Sequence, residues 1–187
     1  MKCGQPLLPQ FTQDGLLPPG DYPMTLDHLR ASFLVTGEGV GSLTWDTAWR
    51  KALVDNLGVL AGQLWSVGIV TIVVNGSFVE DKDHPNDIDG YFECAVLELA
   101  TGRLAQSLNA LDRHQVWTWD PGQRTYDPRS GKAQLPTWYQ YRVELYPHVG
   151  QPAGIVDRYG NQLQFPAAFR VRRSTYQPKG VVTLLQS

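Results

Sequence analysis

The chain is short of cysteine, has no long apolar run and carries almost no net charge, and each shortage removes a class of protein. Its two cysteines, Cys3 and Cys94, match no metal-ligand spacing and build no disulfide framework. Cys94 lies in an apolar, strand-like run, where a free thiol behaves as a small buried hydrophobe. No stretch approaches the ~18–20 consecutive apolar residues that a membrane span requires, so no membrane partner is expected. Residues 1–6 lack the apolar core of a secretory signal, which makes the cytoplasm the default expectation. A net charge of −2 provides no bulk attraction to nucleic acid or to an anionic surface. Internal repeats and low-complexity segments are also missing.

What is present is the composition of a globular protein. Apolar residues make up 42% and charged residues 18% of 187 residues. That is enough for one domain with a core and too little for two. Pro6, Pro9, Pro18, Pro19 and Pro23 make residues 1–24 read as an extended, irregular lead-in, and 25–187 as the domain. Residues 25–34 read as a short helix with Leu26, Leu29 and Phe33 on one face. The clearest helix covers 46–67. Asp46 suits its N-cap, Trp49, Leu53, Leu57, Leu60 and Leu64 form an apolar stripe, and Gly68 suits the position just past its end. The β-branched run 69–74 predicts a strand buried on both faces. Further strands are expected over 88–99 and 139–146, and at 162–165 and 181–185 in the tail. This order predicts a single α+β domain with a mixed sheet and flanking helices.

The chemistry is concentrated where the first central strand ends. Gly76-Ser77 follows it, a short charged loop comes next, and the following strand opens with Asp87-Ile88-Asp89. Gly76 has no Cβ, so a ligand can approach the backbone there. The Ser77 hydroxyl and the amides beyond it can donate to phosphate oxygens, and a helix beginning at Phe78 would favour the anion further. Side chains alternate along a strand, so Asp87 and Asp89 point the same way while Ile88 enters the core. Two carboxylates so close repel unless a cation lies between them. Magnesium suits such a site, since it takes a few carboxylates together with water and substrate phosphates. Glu144, between Val143 and Leu145, is the candidate third carboxylate, with Glu93 as the alternative. A carboxylate in an apolar setting must be paired or metal-bound if it points inward. On a strand Arg142 shares the face of Glu144, where it either contacts phosphate or neutralises Glu144.

Gly76-Ser77, nine intervening residues and then Asp87-Ile88-Asp89 resembles the signature of the DNA polymerase beta-like nucleotidyltransferase superfamily, which includes minimal and antibiotic nucleotidyltransferases. Leu17-Pro18-Pro19-Gly20, Gly76-Ser77-Phe78-Val79, Pro85-Asn86-Asp87-Ile88-Asp89-Gly90 and Arg142-Val143-Glu144-Leu145-Tyr146-Pro147-His148 look like an uncharacterised bacterial family allied to it. The superfamily resemblance implies a nucleotidyltransferase-type mixed sheet. Its first strand ends at Gly-Ser, its second carries the metal aspartates and its third carries the last carboxylate. It implies Asp87, Asp89 and Glu144 as catalytic ligands of one or two Mg2+ ions, and Gly76 and Ser77 as contacts of an NTP.

Lys82 either reaches the triphosphate or balances its acidic neighbours. His84 and His148 are candidate general bases or plain loop histidines. Aromatics interleaved with cations, from Trp117 to Tyr141, either stack nucleobases or form core under a long loop. The tail is basic, with Arg158, Arg170, Arg172, Arg173 and Lys179, and it either faces the triphosphate or an RNA substrate, or forms a charged edge strand. The expected activity is transfer of an NMP group to a hydroxyl on a protein, RNA or small molecule. Two alternatives stand beside it. One is an antitoxin-like regulator that binds a toxin protein; the other is an inactive NTP-binding descendant. A small open site of this kind is often covered by a second subunit, so a homo-oligomer is a possible state.

Overall fold

The computed structural model describes residues 8–186. Cys3, the start of the lead-in (residues 1–7) and Ser187 lie outside them. The backbone is a mixed α+β domain built on one five-stranded sheet. Its strands are β1 (Asp21–Thr25), β2 (Ile72–Asn75), β3 (Ile88–Glu93), β6 (Val143–His148) and β9 (Val181–Leu185), in the order β1-β9-β2-β3-β6. β1 and β9 run parallel, as do β3 and β6, while β2 is antiparallel to both of its neighbours. β2 is central, and all four of its residues are buried, as the β-branched run predicts.

One face of the sheet is covered by the long helix α3 (Thr47–Ser66), whose Leu53, Leu57, Leu60 and Leu64 are fully buried. Asp46 caps it, accepting a bond of 2.9 Å from the Trp49 amide. At its other end Gly68, at φ +85°, lets the Ile69 amide turn back to the Leu64 carbonyl at 3.0 Å. A smaller cluster of Val73, Tyr91, Phe169 and Val181 packs on the opposite face. Two small two-stranded sheets stand outside the main one: β4 (Thr125–Asp127) with β5 (Lys132–Gln134), and β7 (Pro152–Val156) with β8 (Gln162–Gln164).

Several expected boundaries move, each for a local reason. The end of the lead-in is not irregular: Asp21–Thr25 pairs with β9, and Leu16 and Leu17 are buried. The helix expected over 25–34 divides at Ser32, whose extended backbone separates α1 (Leu26–Ala31) from α2 (Phe33–Thr36). The strand expected over 69–74 starts at Ile72, because Ile69 is still bonded to the end of α3. The strand expected over 88–99 stops at Glu93, and α4 (Val96–Ala100) and α5 (Arg103–Leu111) follow.

The strand expected over 139–146 starts at Val143. Pro136 occupies the first turn of a helix, α6 (Pro136–Tyr141), and Arg142 closes it in the left-handed region at φ 55°. In the tail, Phe165 begins a short helix, α7 (Phe165–Ala168). Most of the aromatic stretch is core: Trp117 and Trp138 are buried, and Trp119 donates to the Leu145 carbonyl at 2.8 Å.

Candidate functional site

A cavity of about 570 Å³ opens where β2 ends. Gly76, Ser77, Lys82, Asp87, Asp89 and Glu144 all line it, so six of the seven sequence candidates meet in one place. The exception is Arg142. Its backbone is left-handed and not extended, so it does not share a strand face with Glu144, and its guanidinium lies 3.8 Å over the Trp138 ring. It does not line the cavity and makes no ion pair with Glu144.

Gly76 opens a single 3-10 turn (Gly76–Val79) that ends at Glu80, so the longer helix that would reinforce an anion site does not form. Two constraints require glycine here. Its φ is +76°, and a Cβ would lie 2.6 Å from Asp89 Oδ2. Asn75, just before it, is buried and donates to the Phe169 carbonyl at 2.5 Å and the Gly180 carbonyl at 3.3 Å. The turn is therefore tied to the tail.

Asp89 pairs in register with Glu144 across the parallel β3–β6 ladder, so the two side chains share a face. Asp87 precedes β3, and its Oδ2 accepts a 2.7 Å bond from Trp138 Nε1. Burial raises the proton affinity of the Asp87 carboxyl, against the Trp138 bond and the neighbouring cations. Asp89 is pushed up to about 7, by burial first and then by the charges of Asp87 and Glu144. Glu144 is buried, and both its oxygens are engaged. Oε1 accepts from the Leu135 amide at 2.7 Å and Oε2 from the Tyr146 hydroxyl at 2.5 Å, with Arg124 3.9 Å away. The ion-pair partner near Glu144 is thus Arg124, not Arg142. Glu93 is not the third carboxylate; it is exposed at the far end of β3, opposite His148.

The same cavity has a basic wall built by the tail. Lys179 is buried and donates to Glu80 at 2.6 Å and to the Gly76 carbonyl at 3.2 Å. Arg172 reaches the other oxygen of Glu80 at 3.1 Å, and Arg173 also lines the cavity. The tail's basic residues do not form an edge strand: Arg158, Arg170, Arg172, Arg173 and Lys179 all lie between elements, and β9, which follows them, runs between β1 and β2. Arg170 faces elsewhere, bonded to Asp21 at 2.6 Å. Lys82 is exposed and also lines the cavity. His84 is outside it, 2.8 Å from Asp46 and stacked on Trp49.

Sequence reasoning passed over Arg50. Its side chain is fully buried and donates to four carbonyls: Leu34 at 2.6 Å, Phe78 at 2.8 Å, Glu80 at 3.2 Å and Lys82 at 2.6 Å. Burial opposes its charge, and four carbonyl dipoles plus the Trp45 ring 3.8 Å away offset that cost. It thereby shapes the loop that joins Gly76-Ser77 to Asp87. A signal existed, since Arg50 is three and seven residues before Leu53 and Leu57 on the apolar stripe.

The donor set suits a hard cation. Asp87, Asp89 and Glu144 offer only oxygen, and Asp87 and Asp89 are half-buried on the cavity wall. Among the described residues no three His, Cys, Asp or Glu side chains form a ready-made metal cage. Magnesium does not need one, because it commonly uses one or two carboxylates with substrate phosphates and water.

The domain is thus a mixed α+β unit with an acidic floor and a basic wall around one cavity. The chain belongs to a family of unknown function, DUF6932, whose profile matches residues 9–185. No curated protein and no solved structure matches it. Among the described residues no helix is long and apolar enough to cross a membrane.

Proposed function

We propose that this protein is a magnesium-dependent nucleotidyltransferase, with a nucleotidyltransferase-type sheet, that moves an NMP group from an NTP to a hydroxyl acceptor and releases pyrophosphate. The observation that carries the reading is the juxtaposition at the end of β2. Asp89 lies in register with Glu144, and the Gly76-Ser77 turn packs so closely on Asp89 that no Cβ fits. The basic wall of the same cavity supports it, since a triphosphate needs cations for its oxygens as well as metal-binding carboxylates.

In this reading Asp87 and Asp89 hold the metal, and Trp138 fixes the orientation of Asp87. Gly76 lets phosphate approach the backbone, while Ser77, Lys82 and the tail cations bind its oxygens. Glu144 completes the acidic floor on the acceptor side. Magnesium, when bound, supplies charge that neutralises the phosphates and weakens the acceptor hydroxyl's hold on its proton. The protein's own contribution is positioning and preorganised charge, as in phosphoryl transfer generally.

One observation favours a second reading, an NTP-binding protein without turnover. Both oxygens of Glu144 are already bonded, to Leu135 and Tyr146, which leaves it less free to serve an acceptor. Calorimetric titration of each NTP, with and without magnesium, tests the site. Binding should require magnesium and disappear in Asp87→Asn and in Asp89→Asn while both variants stay folded. Normal binding by either variant refutes the metal assignment. Binding without pyrophosphate release, across protein, RNA and small-molecule acceptors, selects the second reading.

A further inference from the structure

Part of the cavity lining is explained by neither phosphate nor metal. This part of the lining is formed by Ala153 and Ile155 of β7, Phe165 and Ala168 of α7, Phe169 and Val171. None of these side chains carries a polar atom. Ala153, Ile155, Phe165 and Val171 are half-buried, so they keep part of their surface open. We propose that this apolar lining is the subsite for the flat ring of a nucleobase, bound by stacking and apolar contact and without selection of the base.

The charged groups of the same cavity support this occupant. A nucleoside triphosphate is polyanionic at one end and a flat, weakly polar ring at the other, and the cavity lining offers both charged and apolar groups. Phe165 is oriented before any ligand arrives. Its ring lies 5.4 Å from Tyr146 at 15° and 6.3 Å from Tyr91 at 22°, with Phe169 at 5.7 Å. Tyr146 is also the residue that bonds Glu144, so the aromatic stack adjoins the acidic floor. Every base has a π-face, and these six side chains carry no donor or acceptor with which to read base edges. Purines should therefore bind modestly better than pyrimidines, through area alone.

The proposal rests on the nucleotide reading, and one comparison separates the two. Magnesium tripolyphosphate, MgATP and MgUTP are titrated into the wild type, Phe165→Ala and Ile155→Ala. Tripolyphosphate reports the charged groups only. The wild type should bind both nucleotides more tightly than tripolyphosphate, by about 5- to 150-fold, the range that stacking one base is worth. Phe165→Ala should remove most of that preference and leave tripolyphosphate affinity unchanged. If Phe165→Ala also weakens tripolyphosphate, Ile155→Ala decides, because β7 pairs only with β8 and lies outside the main sheet. Tripolyphosphate binding with no nucleotide preference, or a preference that survives both substitutions, overturns the subsite and leaves the charged site standing. Failure of all three ligands to bind removes the nucleotide reading and the subsite with it.

Discussion

Replacing Asp89 by asparagine should make the metal-free protein more stable, by a margin that grows from about pH 4 and is complete above about pH 7. The folded chain raises the proton affinity of this carboxyl, from 3.8 to about 7, by burying it and placing Asp87 and Glu144 nearby. The folded state therefore holds a proton that the unfolded chain has released between about pH 4 and pH 7. Stability falls as pH rises through that window, and above it the penalty for the buried charge is complete. At about 1.4 kcal/mol per tenfold change in proton affinity, the ceiling is about 4 kcal/mol. Solvent around a half-buried carboxylate reduces this to about 2 kcal/mol. The Asp89→Asn substitution keeps the shape of the side chain without its charge. Thermal unfolding in EDTA at pH 8 should show Asp89→Asn more stable by about 4–8 °C, since each kcal/mol moves a domain of this size by about 2–4 °C. At pH 4 the two proteins should melt together. Magnesium at pH 8 should raise the wild type and leave the variant unmoved. A variant no more stable at pH 8, or equally more stable at both pH values, would falsify the electrostatic account.

Gly76→Ala should cost about 1–3 kcal/mol in urea unfolding and abolish NTP binding, because alanine is strained at φ +76° and its Cβ meets Asp89 Oδ2 at 2.6 Å. Unimpaired binding would mean that this turn is not part of the site. Arg50→Met should cost about 3 kcal/mol or more by leaving buried carbonyls at Leu34 and Phe78 without a donor. Arg50→Lys should recover part of that loss in the same denaturation experiment, and equal loss in both would refute the hydrogen-bond explanation. Trp138→Phe removes the donor that stabilises the charged form of Asp87. The pH midpoint of magnesium binding should therefore move upward, and an unchanged midpoint would show that the bond contributes nothing in solution.

Elements with a local cause were legible from the residues alone. The helix after Asp46 has its cap, its apolar stripe and its terminal glycine within one continuous segment, and the structure differs by a residue at its ends. The β-branched run before Asn75 and the tail strand Val181–Leu185 are set by burial on both faces and are found as strands. Gly76-Ser77 and Asp87-Ile88-Asp89 were readable as one group because adjacent antiparallel strands bring their ends together.

Tertiary contacts decided the rest. Whether Arg142 or Arg124 stands near Glu144 depended on Pro136 starting a helix and on Arg142 ending it left-handed, a turn that strand alternation cannot express. Whether the basic tail was an edge or a wall depended on β9 inserting between β1 and β2, so that Lys179 meets Glu80 across 99 residues of chain. Periodicity and capping act over a few residues and leave a mark in sequence. Strand order and long-range ion pairs have no such local mark, so the cavity's acidic floor could be read from the chain, while its basic wall and apolar lining could be seen only once the chain was folded.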